Sequence, residues 1–315
     1  MPTFCRHNRF IQNCPICREA ESPTRSARRS PSTGTASRAT RGTASSGVKV
    51  RRLARAADDG YRSALVPGLR SSDDARRLAG EIAFSAARLA ALQSAPGGAY
   101  GEAASEPDVE EALWLVTLAS LLGPLEGDDP FAGIRAARVP WAAGEVPSLE
   151  GVAFGPRAGV GDAAAGERAL AAYRDWAQRA GGQAAAIRGE ASWSPERRFE
   201  RAFERIGALP GFGRPARYDL LVALGRLGLA DLQPTALHFD SDDTSLAARR
   251  VFGIADRFLL ERRAGDLAGA CELALEALDL ALANFGRPDG RVTQGAGAVE
   301  PDLEAQARAE EALGV

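Results

Sequence analysis

Three of the four cysteines fall within the first 17 residues, in the run F-C-R-H-N-R-F-I-Q-N-C-P-I-C. Cys5, His7, Cys14 and Cys17 there form a C-x-H-x6-C-x2-C pattern. Thiolates and an imidazole satisfy tetrahedral Zn²⁺, and the Cys-Pro-Ile-Cys knuckle sets two sulfurs on one side of the ion. So short a segment has no hydrophobic core, so the metal supplies most of its folding energy. Four protein ligands leave no open position, so the zinc expected here is structural. A disulfide or redox pair is the competing reading, which one histidine among three close cysteines disfavours. Cys271 stands alone in an apolar stretch and is expected in the core.

A second constellation begins at Leu209, in L-P-G-F-G-R-P-A-R-Y-D-L-L. A helix is expected to end near 207 and another to start near Arg214, with a hairpin turn over 209–216. Gly211 and Gly213 permit backbone conformations that a side chain blocks. Their amides, at the positive end of a new helix, suit a phosphate, a grip on nucleic acid that reads no sequence. Leu209, Gly211, Phe212 and Gly213 are therefore candidate DNA-contacting residues, as are Arg214, Arg217, Arg249 and Arg250 nearby. Ordinary helix-helix turns and surface salt bridges are the bland alternatives.

About thirty residues further on, H-F-D-S-D-D-T-S-L-A-A-R-R-V-F-G-I crowds Asp240, Asp242 and Asp243 at the start of a helix. One of the three is expected to cap it. Three carboxylates within four residues exceed what capping needs, so one is free to face a cleft, kept ionised by the helix dipole. Asp243 stands first in line as the reactive carboxylate, then Asp242 and Asp240.

The elements that must position these groups are helical. Apolar residues recur at three- and four-residue steps from Asp73 to Ala95 (Leu78, Ile82, Ala86, Leu89 and Leu92). Pro107 to Leu122 reads as a helix with an acidic first turn. Further helices are expected at 163–180, 195–207, 214–228, 244–254, 256–270, 271–285 and 300–312, with surface loops over 139–162. Only short pieces such as Val152 to Phe154 suit an extended conformation, and no repeat recurs at a fixed period. The expected fold is all-α.

The chain has 315 residues, 45% hydrophobic and 25% charged, which excludes disorder as its overall state. No apolar run approaches the ~18 residues of a membrane helix, and the N-terminus lacks a secretory signal's apolar core, so a cytoplasmic protein is expected. The net charge of −2 conceals an asymmetry, because residues 1–55 hold 12 basic side chains against Glu19 and Glu21. A basic arm on an acidic body suits an arm that finds a polyanion. The expected organisation is a zinc knuckle over 1–18, a flexible Ser/Thr/Arg/Pro linker over 19–48 and a helical domain over 50–315.

Leu-Pro-Gly-Phe-Gly followed by Asp-Asp-Thr and an Arg-Val helix resembles the helix-hairpin-helix DNA glycosylase superfamily. More closely, the chain resembles the alpha-glutamyl/putrescinyl thymine pyrophosphorylase family. The residues that carry this are F-C-R-H-N-R and C-P-I-C, the hairpin, A-A-R-R-V-F-G-I-A-D, L-L-E-R-R-A and L-D-L-A-L-A-N-F-G. The resemblance spans roughly 105–290 plus the first 17 residues. It implies a hairpin that holds DNA and an aspartate at the next helix start that assists departure of a flipped base. It also implies work on hypermodified pyrimidines of phage DNA, by excision in antiphage defence. The alternatives are a biosynthetic enzyme of thymine hypermodification or a non-catalytic DNA-binding adaptor.

Two departures shape the expectation. Bifunctional superfamily members place a lysine just after the hairpin, where this chain has Arg214, Pro215 and Ala216, and Lys49 is its sole lysine. A monofunctional glycosylase without Schiff-base lyase activity is therefore expected. The four-cysteine iron–sulfur loop of some members is absent, so no iron–sulfur cluster is expected, and the structural zinc of the N-terminal knuckle is the expected cofactor. DNA is the expected partner, and no obligate protein partner is evident. Trp114, Tyr100, Trp141, Phe131, Trp176 and Trp193 are candidates for stacking a flipped base. His238 is expected to pack or cap, and Glu272, Glu276 and Asp279 to form a solvated stripe.

Overall fold

The computed structural model describes residues 56–288, 290–296 and 299–315. The chain divides at residue 50, and these residues belong to the second unit, Arg51–Val315. The zinc-knuckle and linker residues of 1–48 lie outside the described residues. Every regular element described is helical, with no strand among the described residues, as the periodicity predicts.

Helix α1 (Ser72–Ser94) starts where Ser71 Oγ accepts from the Asp73 amide, with Asp73 and Asp74 at its positive end. Its buried face carries Leu78, Ile82, Leu89 and Leu92. Two short helices, α2 (Gly98–Ser105) and α4 (Ala132–Ala136), flank α3 (Val109–Leu122). Asp108 caps α3, and every residue of α3 from Ala112 on is buried. A helix apolar all round has no solvent face, so α3 becomes the central helix, packed by α2 and by α8 (Arg214–Arg226).

Helix α5 (Ala163–Arg179), capped by Asp162, leads into α6 (Gln183–Arg188). The Glu110 carboxylate of α3 accepts from the Gln183 and Ala184 amides, at 2.7 and 2.9 Å, and so supplies the cap that Gly182 lacks. Helix α7 (Pro195–Ile206) buries Phe199, Ala202, Phe203 and Ile206, one clean face of an otherwise charged segment. It packs on α8, to which residues 207–213 connect it.

Helices α9 (Asp243–Phe252), α10 (Arg257–Ala270), α11 (Ala277–Gly286) and α12 (Leu303–Leu313) complete the unit. α11 is buried along its length and lies between α1 and α9. It begins at Ala277, not near 271, so Glu272 and Asp279 do not share a helix face. The expected solvated stripe is therefore corrected: Asp279 is 2% exposed, while Glu276 pairs with Arg226 at 2.6 Å. Among the described residues, no helix is long and apolar enough to cross a membrane.

Candidate functional site

The hairpin turn, the aspartate cluster and α11 meet around one cavity of about 300 Å³. Its walls are Pro156, Arg157, Ala158 and Gly159 from the loop after α4, and Gly213, Pro215 and Ala216 from the start of α8. Asp242, Asp243 and Thr244 come from the start of α9, and Ala283 and Arg287 from the end of α11. Larger hollows of about 440 and 530 Å³ open elsewhere, but neither touches the hairpin turn or the aspartates.

Local chemistry explains the convergence. The loop hangs on the C-terminal carbonyls of α3, where Gly155 N–H donates to Leu122 O at 2.9 Å and Gly159 N–H to Leu121 O at 2.8 Å. A side chain at Gly159 would meet the carbonyl of Gly211 at 2.5 Å, so its absence lets loop and turn press together. Gly211 has φ +79°, and a Cβ there would lie 2.6 Å from Ala169 Cβ. Only glycine meets both demands.

Beneath the cavity lies a buried chain of alternating charge. Arg157 donates to both oxygens of Asp219, each at 3.0 Å, and to Asp279 Oδ2 at 2.7 Å. Arg214 Nη1 sits 2.5 Å from Asp279 Oδ1, an ion pair whose alignment falls short of a hydrogen bond. Arg214 also donates from Nε to Leu237 O at 2.9 Å, and the same nitrogen lies 3.6 Å from Asp242 Oδ2. Burial works against charge on Asp279, but Arg214 and Arg157 outweigh it and hold its carboxyl below the usual carboxylate range. Burial likewise opposes the charge of Arg157, and Asp219 and Asp279 more than restore it.

The three clustered aspartates have different duties. Asp242 is the cap of α9: its Oδ1 accepts from the Ser245 amide at 2.9 Å. Its Oδ2 is buried and accepts no hydrogen bond from the described residues. Asp243 is exposed at the first helical position and lines the cavity. Asp240 is also exposed but is not a cavity wall; its amide donates to Ser245 Oγ at 2.7 Å and its carbonyl accepts from Arg249.

The residues expected to touch DNA separate into two groups. Gly213 is exposed on the cavity rim. Phe212 turns inward, 2% exposed and stacked on Tyr173, and Leu209 packs half-buried on the core. Arg214, expected to face a phosphate, is a correction: it is 3% exposed and its guanidinium is committed to Asp279 and Leu237. Arg217 lies over the Phe203 ring at 4.0 Å, and Arg250 pairs with Asp74 at 3.1 Å.

None of the six aromatic candidates lines the cavity. Trp114 is fully buried with its Nε1 donating to Val139 O, and Trp141 lies beneath the Arg174 guanidinium. Tyr100 and Phe131 pack edge to face, Trp176 packs on Tyr173, and Trp193 lies under Arg197 and Arg205. His238 stacks on Phe203 and sits 3.1 Å from Glu200, a packing role away from the cavity walls. Cys271 is buried in the core as expected, where burial pushes its thiol up to about 11. Arg157 and Arg287 were not anticipated. A lone arginine in a Gly/Pro-rich loop, or just past an apolar helix, carries no local signal of a buried or cavity-facing position.

The described residues thus form an all-helical unit in which a helix–turn–helix and an aspartate-capped helix share one cavity over a buried Arg–Asp network. Residues 160–290 match the family described as alpha-glutamyl/putrescinyl thymine pyrophosphorylase clade 3, the family that the sequence resembles. The match takes in the hairpin, the aspartates, Asp279 and Arg287, and begins three residues after Arg157. No curated protein and no solved structure matches the chain.

Proposed function

We propose that the helical unit is a monofunctional DNA glycosylase that hydrolyses the N-glycosidic bond of a bulky modified pyrimidine and leaves an abasic site. One observation carries the reading: the turn suited to a DNA backbone and the carboxylates suited to a sugar cation border the same cavity. The matched family's description names thymine derivatives, which is compatible with processing of modified bases.

The cavity's chemistry fits that substrate class. A base inside a duplex must leave the stack to reach such a pocket. Pro156, Ala158, Gly159, Ala216 and Ala283 are small, so the walls leave room for a 5-substituent. A volume of about 300 Å³ is at the lower end of the ~300–1,000 Å³ of small-molecule sites.

Asp242 takes the catalytic role ahead of Asp243, the reverse of the order expected from sequence. The cap to Ser245 and the nearby Arg214 fix the position of Asp242, and electrostatic catalysis favours a charge that need not reorganise. Its carboxylate stabilises the sugar cation and helps activate water. Backbone amides at Gly213 and the start of α8 grip the phosphate, in place of the Arg214 side chain. The basic arm and its zinc knuckle add affinity for DNA, in keeping with a role in antiphage defence.

The test is incubation of the full chain with duplexes carrying glucosylated 5-hydroxymethylcytosine or hypermodified thymine, with released bases identified by mass spectrometry. Free base together with an alkali-labile abasic site is expected. Pyrophosphate release in a reaction on an activated base, without free base, would replace this reading with the biosynthetic one.

A further inference from the structure

We infer that Arg287 is a catalytic residue that stabilises the departing base as it takes up negative charge. The inference rests on the glycosylase reading above and adds a part that neither the hairpin nor the aspartates supply.

Two guanidinium groups border the cavity, and their states differ. Arg157 has spent its charge: it holds Asp219 through two hydrogen bonds and Asp279 through a third. Arg287 makes no side-chain hydrogen bond or ion pair with any described residue, and its buried Nε lacks an acceptor. It follows the last turn of α11, held there by its own amide, which donates to Asn284 O at 3.0 Å. Gly286 precedes it, and a Cβ at Gly286 would lie 3.0 Å from Ala247 Cβ, so α11 and α9 are in close contact beside the cavity. A half-buried arginine is desolvated at a cost, and one left without a carboxylate among the described residues is unusual in a body this rich in acids.

The reaction requires such a group. Breaking the C1′–N1 bond leaves the electron pair on the base and a positive charge on the sugar. The oxygen of water then bonds to C1′; one of its protons passes to the base nitrogen and the other remains in the new 1′-hydroxyl. Charge therefore separates in two directions, and a carboxylate assists only the sugar. The cavity carries Asp242 and Asp243 at the start of α9, and at the end of α11 a cation without an ion pair among the described residues. Arginine is suited to the second task, because its planar fork can donate two hydrogen bonds to O2 of the departing pyrimidine, onto which the negative charge of N1 is delocalised in cytosine and thymine alike.

The test uses the full chain and the duplexes named above. Removing a group that stabilises transition-state charge costs about 10²–10³ in rate, so Arg287→Gln should release base about 100-fold more slowly in single turnover. Its Kd for a duplex whose target sugar carries an inert 2′-fluorine should stay within about threefold of wild type, since the loss falls on the transition state. Arg287→Ala should regain at least about tenfold on addition of guanidinium ion, which a merely structural arginine would not show. Release by Arg287→Gln within threefold of wild type, or a rate loss matched by an equal loss of affinity, would overturn the role of Arg287 and leave the glycosylase reading standing. Absence of base release by the wild-type chain from every duplex would overturn both.

Discussion

Arg157 Nη2 donates to Asp279 Oδ2 at 2.7 Å across 122 residues of chain, joining a Gly/Pro-rich loop to the most buried helix of the unit. The bond closes a sequence of contacts, Asp219–Arg157–Asp279–Arg214–Asp242, whose buried middle, Asp279 and Arg214, lies between two residues of the cavity wall, Arg157 and Asp242. Each member is held by a partner from an element other than its own. Disturbing one should therefore be felt at the site as well as in the fold.

Loss of Arg157 is the direct test of that network. Arg157→Met leaves Asp219 without its bidentate partner and Asp279 with one cation in place of two. Breaking one side of a buried pair costs about 3–5 kcal/mol, and thermal unfolding should register it. A melting temperature equal to wild type would show that the loop is dispensable to the core.

The network also sets an acid limit. The folded pKa of Asp279 lies below its ordinary value of 3.8, so the stability it contributes is complete above about pH 4 and drains as pH falls through the folded value. Urea unfolding of the wild-type chain should weaken in that acid range. Asp279→Asn should start from a lower stability and fall less steeply there, because an amide has no proton to take up. Parallel curves for the two proteins would contradict the ionised, doubly paired Asp279.

Two glycines in one turn should respond differently. Gly211→Ala combines φ +79° with a Cβ 2.6 Å from Ala169 Cβ and 2.9 Å from Val160 Cγ1, and should cost about 2–4 kcal/mol. At Gly213 the only neighbour of a new Cβ is Pro215 Cδ at 4.0 Å, so Gly213→Ala should cost less than about 1 kcal/mol. The added methyl stands on the cavity rim, so Gly213→Ala should weaken DNA binding measured by fluorescence anisotropy. Unchanged affinity would remove the turn from the DNA-binding surface.

Substitutions in the aspartate cluster separate catalysis from capping. Asparagine caps nearly as well as aspartate, so Asp242→Asn should keep its fold while base release falls by about 10²-fold or more. Asp243→Asn should lose less and Asp240→Asn least, since Asp240 is not a wall of the cavity. Because Lys49 is the only lysine, borohydride should trap no covalent adduct with DNA through a lysine, and strands should break only after alkali.

Zinc is predicted at the other end of the chain. Cys5, His7, Cys14 and Cys17 should hold one Zn²⁺ per chain by elemental analysis, and Cys14→Ser with Cys17→Ser should abolish it. The unit Arg51–Val315 has its own core, so its melting temperature should stay put while DNA affinity drops. Zinc retained by the double variant would place the metal elsewhere.

The sequence by itself determined the local terms of this structure. Apolar spacing placed α1, α3, α5, α7 and α8 to within about two residues, since an amphipathic face and its cap are written in neighbouring positions. The hairpin and the aspartates were linked to one another only through the family resemblance, since a Pro-Gly-x-Gly turn and acidic caps also occur at ordinary helix boundaries. The short helices α2, α4 and α6 escaped, because no periodicity fits so few turns and α6 takes its cap from Glu110, 73 residues away. Tertiary structure alone decided the state of each charge. Asp279 reads as solvated and Arg214 as a phosphate ligand until each is seen buried against the other, and Arg157 reads as a surface loop residue until two aspartates surround it. A charged side chain is admitted to the interior by its partner, and the partner's distance along the chain leaves no trace in local pattern.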